Sequence, residues 1–565
     1  MSSALSSGVS GLKAFQTMLD VAGNNIANVN TTAYKASTVH FSELLTETIK
    51  KASQPTSNTG GTNPVQVGSG VGVSGIVADT TQGDIESTGN ALDMAIEGQG
   101  YFVLNDGSQN VFTRAGSFSV DEDCYLVDSA TGYRVQRIGS EGEADGFQVA
   151  GDSDLRIPYD VAMAASATTS VTVSGNLSSD ATATTPTTNV MTASEAFTID
   201  SGTTATVSTT LSELDQWLDG TTDGSGTGTF VISGCDHNGI ALVDSGMTVT
   251  GSTTLQDIVD HINTVLGDSG TATLVSGKIC ITDSDSGYSL TDVNMSFTST
   301  DGTTLDTSPY FEITTVGGDE VKSVSISVYD SLGSEHVLSA ALVRTDDANT
   351  WDMVLTSITG DISSISTNGR RISGIQFNNS DGSFAGLETD ATTGTTDTSS
   401  FTISFAYDSG NPQTISVEMG TVGELDGLTQ FAGDSTAVAS GQDGYTAGSL
   451  SSVSVDNEGL LIGTFSNGIK KTIGAVEIAL FQNSAGLESI GNSYFVTSAN
   501  SGEAVYTQAE SGGAGSIQGS SLECSNADTA TEFVNLITAQ NGFQANSRTI
   551  KVASEILQEL ATLIT

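Results

Sequence analysis

The chain has 565 residues, 37% of them apolar, and 66 acidic against 17 basic side chains give it a formal net charge of −49. At ~150 residues per domain this length predicts several cores rather than one, and a charge so negative argues against nucleic acid or anionic membrane as a partner. No stretch offers the ~20 apolar residues of a membrane-crossing helix, while abundant Gly, Ser and Thr with few aromatics favour many short strands joined by glycine turns.

From the N-terminus, residues 3–30 predict a helix. Leu5, Leu12, Leu19 and Ile26 recur every seventh position, and Gly8, Phe15, Ala22 and Val29 follow three further on, which makes an apolar seam. The stretch "GNNIANVN" (23–30) sits at its end. Asn24, Asn25 and Asn28 fall off the seam, where a solvated helix would carry Glu and Lys, because asparagine amides compete for backbone groups. Residues 1–34 contain only two charged side chains, Lys13 and Asp20. A helix so bare of charge is expected to be surrounded by protein, its amides cross-linking neighbours without the cost of burying charge. Two helices alone cannot surround each other, so the neighbours are expected to be other copies of the chain. The opening "MSSALSSGVSGLKAF" has no charged-then-apolar leader pattern, so no ordinary signal peptide is expected there.

Residues 53–72, "SQPTSNTGGTNPVQVGSGVG", read as an extended linker. Beyond them the pattern is β: "DMAIEGQGYFVLNDG", "NVFTRAGSFSVDEDCYLVDSATGYRV", "VKSVSISVYDSLGSEHVLSAALV" and "SSVSVDNEGLLIGTFSNGIKKTIGAVEIALFQ" alternate between Asp, Asn and Gly turns. Residues 187–320 differ. There "TLSELDQWLDG" and "TTLQDIVDHINTVLGD" have helical period among strands such as "GTFVIS" and "ATLVSGKICITD", so this stretch reads as an inserted α+β domain. Because the β motifs resume on its far side, its two ends are expected to lie close together, so the insert is expected to be outermost and dispensable for assembly, and a chain joined from 186 to 321 by a short Gly/Ser linker is expected still to polymerise. The C-terminus mirrors the N-terminus. Leu536, Phe543, Ile550, Leu557 and Ile564 recur every seventh position with Ala539, Ala553 and Leu560 between them, and Asp528 or Thr529 with Glu532 would cap the start.

Charge is segregated along the chain. Residues 1–51 carry four lysines and three acids, and residues 521–565 carry five acids and two bases, so nearly all the negative charge lies in the middle. The four cysteines are scattered without metal spacing, the four histidines lie in four separate segments, and no dinucleotide, phosphate-loop, zinc-protease or nucleophile-elbow motif occurs. "DSDSGYSL" fails as a calcium loop because its glycine comes one position early and Asn294 stands where a glutamate is needed. No catalytic residue, metal or cofactor is therefore expected. The fold class predicted is multidomain and mainly β, with paired N- and C-terminal α-helices forming a coiled-coil-like inner core.

These residues carry a resemblance. "LDVAGNNIANVNTTAYK" (19–35) resembles the N-terminal signature of the bacterial flagellar rod and hook family, and the segments 97–135, 428–495 and 522–564 are similar to that family's shared β segments and C-terminal helix. "VSGNLSSD" and "VYDSLGSEHVLSAALV" resemble the hook branch, and "TTLQDIVDHIN" resembles a small domain of flagellins and filament-capping proteins. One departure is Ala33, where the family has glycine, which puts a positive φ there in doubt. The resemblance implies a structural subunit, not an enzyme. It would self-polymerise into the curved flexible tube that couples rod to filament and transmits torque as a universal joint, extracellular and attached to the basal body. The other reading is a distal rod or other axial subunit, or a cell-surface adhesive protein built on similar helices. Implied partners are many copies of itself, the distal rod protein, a hook cap, hook–filament junction proteins and the flagellar export apparatus. The expected division is a helical assembly core (1–52 and 521–565), an inner β domain (53–155 and 432–520), a second, hook-type β domain (156–186 and 321–431) and the insert (187–320). The expected assembly interface is Leu5, Leu12, Phe15, Leu19, Asn24, Asn25, Ile26, Asn28, Val29, Leu536, Phe543, Ile550, Leu557, Leu560 and Ile564.

Overall fold

The seven-residue apolar repeats at both ends fold as helices. In the computed structural model these are α1 (Ser2–Ala27) and α3 (Thr529–Ile564), with one further α-helix, α2 (Leu255–Leu266), among the described residues. The structure describes residues 2–564 except 181–185, 222–225, 300, 366–368 and 389–398. The chain divides into two compact units, one made of 1–163 with 448–565 and the other of 164–447.

In the first unit α1 and α3 run antiparallel, in contact along glycines. A Cβ placed on Gly542 would lie 2.6 Å from the Phe15 ring, and one on Gly8 would lie 2.9 Å from Ile550. Helix α1 stops at Ala27 rather than at residue 30. Asn28 and the residues after it turn back, with the Thr31 N–H donating to the Asn28 carbonyl at 3.0 Å. Helix α3 is capped by Asp528, whose carboxylate accepts the N–H groups of Ala530 (3.1 Å) and Thr531 (3.3 Å). Glu532 does not close a capping box; it points at α1.

The expected linker is a β arm instead. Ser37–Glu43 pairs antiparallel with Val71–Ala78, and Thr46–Lys50 pairs with Val65–Gly68. The alternating Val65, Val67, Val71 and Val73 supply the β-branched period that the Gly/Ser/Thr composition masks. The rest of this unit is built from both halves of the chain. Tyr101–Asn105 pairs with Ile478–Leu480, Met94–Glu97 with Ser516–Gly519, and Ile85–Ser87 with Ser521–Glu523. Neither half has a complete sheet without the other.

The second unit contains a five-stranded antiparallel sheet from Val321–Tyr329 through Phe384–Leu387. This packs with the strands Ser170–Ser178, Ser400–Phe405 and Gln413–Glu418 around Trp351, Phe401 and Ile403. A second core lies in the insert, where α2 buries Leu255, Ile258, Val259, Ile262 and Leu266 against its strands. Helix α2 begins with a capping box between Thr254 and Asp257 and ends at Gly267, whose φ of +57° suits glycine. The expected helix at "TLSELDQWLDG" is only a 3₁₀ turn, Leu211–Glu213, followed by the short strand Trp217–Leu218. The reason is local. Leu211 and Leu214 are buried three apart, which one 3₁₀ turn satisfies, and the Asp215 carboxylate accepts the N–H of Ser201 (3.0 Å) and Gly202 (3.1 Å), tying the chain out of helix.

Candidate assembly surface

The root of the helix pair is a knot of polar groups around Asn25. This side chain is 0% exposed. Its Nδ2 donates to the Ser37 carbonyl (2.8 Å) and to Glu532 Oε1 (3.1 Å), while its Oδ1 accepts the Ser37 N–H (3.0 Å) and the Tyr34 hydroxyl (3.1 Å). Both donors and both lone pairs are taken by the chain itself. Within the subunit Asn25 thus ties α1 to α3 and to the start of the arm. Asn24 is exposed and donates to Tyr34 Oη (3.0 Å), and Asn28 donates back to the Asn24 carbonyl (2.9 Å).

Below this knot lies a buried charge cluster that sequence reading missed. Lys35 Nζ is 2.6 Å and Arg114 Nη1 3.4 Å from the two oxygens of Glu523, which is itself fully buried. Lys35 also donates to the Thr81 carbonyl (2.7 Å), and Arg114 donates to that of Gly98 (2.6 Å). Burial pulls the Lys35 ammonium pKa below its ordinary value, and the Glu523 carboxylate opposes that pull. The three residues come from "TAYK", "TRAGSF" and "LECSN", so the cluster joins both terminal segments to the β framework. Beside it Ala33 holds φ +55° with its N–H on the Glu523 carbonyl at 2.8 Å. The positive φ that the glycine-to-alanine departure put in doubt is present, at a cost of about 1–2 kcal/mol for an L-residue.

The expected interface residues fall into three groups. Leu5, Leu12, Phe15, Leu19, Ile26, Val29, Leu536, Phe543 and Ile550 are half-buried, as is Asn28, and the Phe15 ring lies 6.1 Å from that of Phe41 of the arm, tilted by 50°. Leu557 is 41% exposed. The side chains of Leu560 and Ile564 lie outside the described residues. A second apolar strip on α3, formed by Phe533, Val534 and Ile537 and further on by Val552 and Ile556, is exposed, with Ile537 at 54%. The sequence signal for it was the i, i+4 spacing of Phe533 with Ile537 and of Val552 with Ile556. An open groove of about 380 Å³ runs along α1 between Leu5, Val9 and Lys13. The arm adds Phe41, Leu44, Leu45, Ile49, Val65 and Val67, all exposed, with Leu45 at 86%. Clustered exposed apolar side chains of this kind mark interaction sites on a protein surface.

Elsewhere three of the four histidines are paired. His237, His261 and His336 each lie 3.2 Å from a buried aspartate, Asp283, Asp244 and Asp330 respectively. Among the described residues no cluster of His, Cys, Asp or Glu is arranged to hold a metal ion.

Family models match along the chain: the flagella basal body rod protein at residues 5–35, the flagellar hook protein FlgE/F/G D1 domain at 95–210, the flagellar basal body protein FlaE D2 domain at 299–445, and the flagellar basal body rod FlgEFG protein C-terminal region at 518–563. The flagellar hook protein FlgE of Borreliella burgdorferi is 30% identical over 574 residues, covering 100% of both chains. That of Treponema pallidum is 29% identical over 588 residues, again covering 100% of both. Among solved structures, the crystal structure of Helicobacter pylori flagellar hook protein FlgE2 aligns with a TM-score of 0.39 at 16% identity, over 77% of this chain and 99% of that one. With full-length identity at this level and four matching family regions in order, the chain belongs to the flagellar hook protein FlgE family and is a structural subunit of the bacterial flagellar hook.

Proposed function

We propose that this subunit polymerises through its terminal helices and the arm at 37–78, the remaining strip of α3 and the groove on α1 being filled by other copies. The tube so formed is the curved, flexible coupling between rod and filament that passes on torque. The observation that carries this reading is the run of exposed apolar side chains on α3 and the arm, which the chain's own fold leaves uncovered. In this reading 1–52 and 521–565 are the assembly core, and the arm spans its boundary with the inner β domain. The inner β domain is 53–155 with 432–520, the hook-type β domain 156–186 with 321–431, and the insert 187–320. The distal rod protein, a hook cap, the hook–filament junction proteins and the flagellar export apparatus are the further partners, and the apolar interface residues are those named above, with Asn25 acting inside the subunit.

The arm provides the test. Leu45→Asp with Ile49→Asp places two carboxylates where the reading puts a neighbour, while the chain's own core does not use either side chain. Soluble protein should keep the parent melting temperature, and tubes seen by electron microscopy should be lost. Tubes of normal length from this variant would remove the arm from the assembly.

A further inference from the structure

The insert enters and leaves the second unit at one point. The Thr187 N–H donates to the Gly318 carbonyl (3.1 Å) and the Gly318 N–H to the Thr187 carbonyl (3.3 Å). By topology alone this is a domain that could be cut away. The strands beneath it say otherwise. In Glu335–Arg344 and Thr350–Ile358, Leu338, Ala340, Leu342, Met353 and Leu355 face the hook-type core, as alternation requires. Ala341 and Val354, on the opposite face, belong to the core of the insert together with Val293, Phe311 and Ile313. A sheet washed by water on its outer face would carry polar residues there. Here the alternation gives way to continuous burial from Ala340 to Val343 and from Thr350 to Leu355.

Two adjacent arginines close the joint. Arg370 is buried, and its Nε donates to the Leu355 carbonyl of the sheet (2.9 Å). Its Nη1 donates to Asp292 Oδ1 (3.1 Å) and its Nη2 to the Phe311 carbonyl, both in the insert. Arg371 bonds Asp352 Oδ2 of the sheet (3.1 Å) through Nη1 and the Ser289 carbonyl of the insert (2.8 Å) through Nη2, and its guanidinium lies 5.6 Å from the centre of the Tyr288 ring. The Tyr288 hydroxyl donates to the same Asp352, whose other oxygen accepts the Gly374 N–H (3.0 Å). Each guanidinium thus divides a planar fork of separate donors between the two sides of the joint, a spread and geometry that the single nitrogen of an ammonium does not reproduce. Charge favours the arrangement as well: residues 187–320 hold one lysine and no arginine among many acids, so the cations come from the sheet.

We propose that Arg370 and Arg371 are positioning residues that lock the insert onto the hook-type sheet, so that the two move as one rigid body and the insert forms the sheet's second face. The expectation that the insert is dispensable for assembly is accordingly revised, because a chain joined from 186 to 321 would expose Ala341 and Val354, strand the buried Arg370 guanidinium and uncover the half-buried Arg371. The proposal concerns the single subunit and stands apart from the polymer reading.

The test uses the full-length soluble chain. Calorimetry of the parent should show the insert and the sheet unfolding in one transition. Arg370→Met with Arg371→Met should split it in two and raise amide exchange at Phe311–Thr315 and Thr350–Ile358 at least tenfold, with Gln413–Glu418 unchanged. Arg370→Lys with Arg371→Lys keeps the charge but loses the forks, and should behave like the methionine pair. An unsplit transition with parental exchange in the methionine pair, or parental behaviour of the lysine pair, overturns the proposal. If the methionine pair gives no soluble protein, Tyr288→Phe decides. Exchange at Thr350–Ile358 should rise several-fold while the chain stays folded, and parental exchange there refutes the lock.

Discussion

Asn25 sits on a helix that disfavours asparagine because four groups need an amide at that point. Replacing it with alanine leaves the Ser37 N–H and carbonyl without partners in a buried site. At about 1–3 kcal/mol for each unsatisfied group, Asn25→Ala should lower the urea-unfolding free energy of the helical signal by roughly 2–5 kcal/mol. Asn24→Ala, one residue away and exposed, should change it by less than about 0.5 kcal/mol. A similar loss from both would mean that helix propensity, not the knot, sets the stability. The sequence marked this residue as anomalous, since four asparagines in eight positions contradict a solvated helix. Its partners were not legible. Glu532 lies 507 residues away, and nothing local in "GNNIANVN" says whether an amide faces its own chain or a copy. The same limit hid Arg370 and Asp292, 78 residues apart.

A second residue ties stability to pH. Glu477 stands between the buried Val476 and Ile478, with no side-chain hydrogen bond or ion pair among the described residues, and burial raises its pKa from the ordinary 4.5 to about 7. The folded chain then holds a proton that the unfolded chain has released between these values. Its contribution to stability is full below about pH 4.5 and is lost as the pH rises through about 7. Glu477→Gln should match the parent near pH 4 and melt at a higher temperature near pH 8, flattening the melting curve between them. Parallel parent and variant profiles over this range would place the charge in solvent.

At the scale of elements, the two terminal helices were legible because the information is local. A seven-residue repeat is visible wherever it occurs, and the structure places its glycines at the points of closest approach. Gly542 meets the Phe15 ring, whereas Gly23 has no atom within 4 Å of an added Cβ. Gly542→Val should therefore lower the melting temperature of the helical signal through overpacking worth about 1–3 kcal/mol, and Gly23→Ala should raise it through about 1 kcal/mol of helix propensity. Shifts of the same sign in both would mean that α1 and α3 do not pack along this seam. Two elements were misread for physical reasons. The i, i+3 spacing of Leu211 and Leu214 fits a 3₁₀ turn as well as an α-helix, and only the distant Ser201 and Gly202 amides decide between them. In the arm, glycine- and serine-rich composition outweighed a four-valine alternation that was present all along.

For the whole molecule, the interruption and resumption of the β motifs shows in the sequence that the chain leaves a β framework and returns to it. Their interleaving was readable only in outline, since which strand pairs with which depends on register and not on composition. Met94–Glu97 finds its partner in Ser516–Gly519 near the other end of the chain. The acidic middle and the nearly neutral ends were visible directly, and they agree with an assembly core that avoids charge. The most direct measurement of that core is polymerisation of Ile537→Asp and Leu557→Asp, both on apolar α3 positions that the subunit leaves exposed. An unpaired carboxylate closed inside an interface costs about 3–5 kcal/mol, and the cost recurs at every subunit. Soluble protein should show parental circular dichroism and melting, while sedimentation and electron microscopy show no tubes for either variant. Normal tubes from both variants would contradict assembly through the terminal helices.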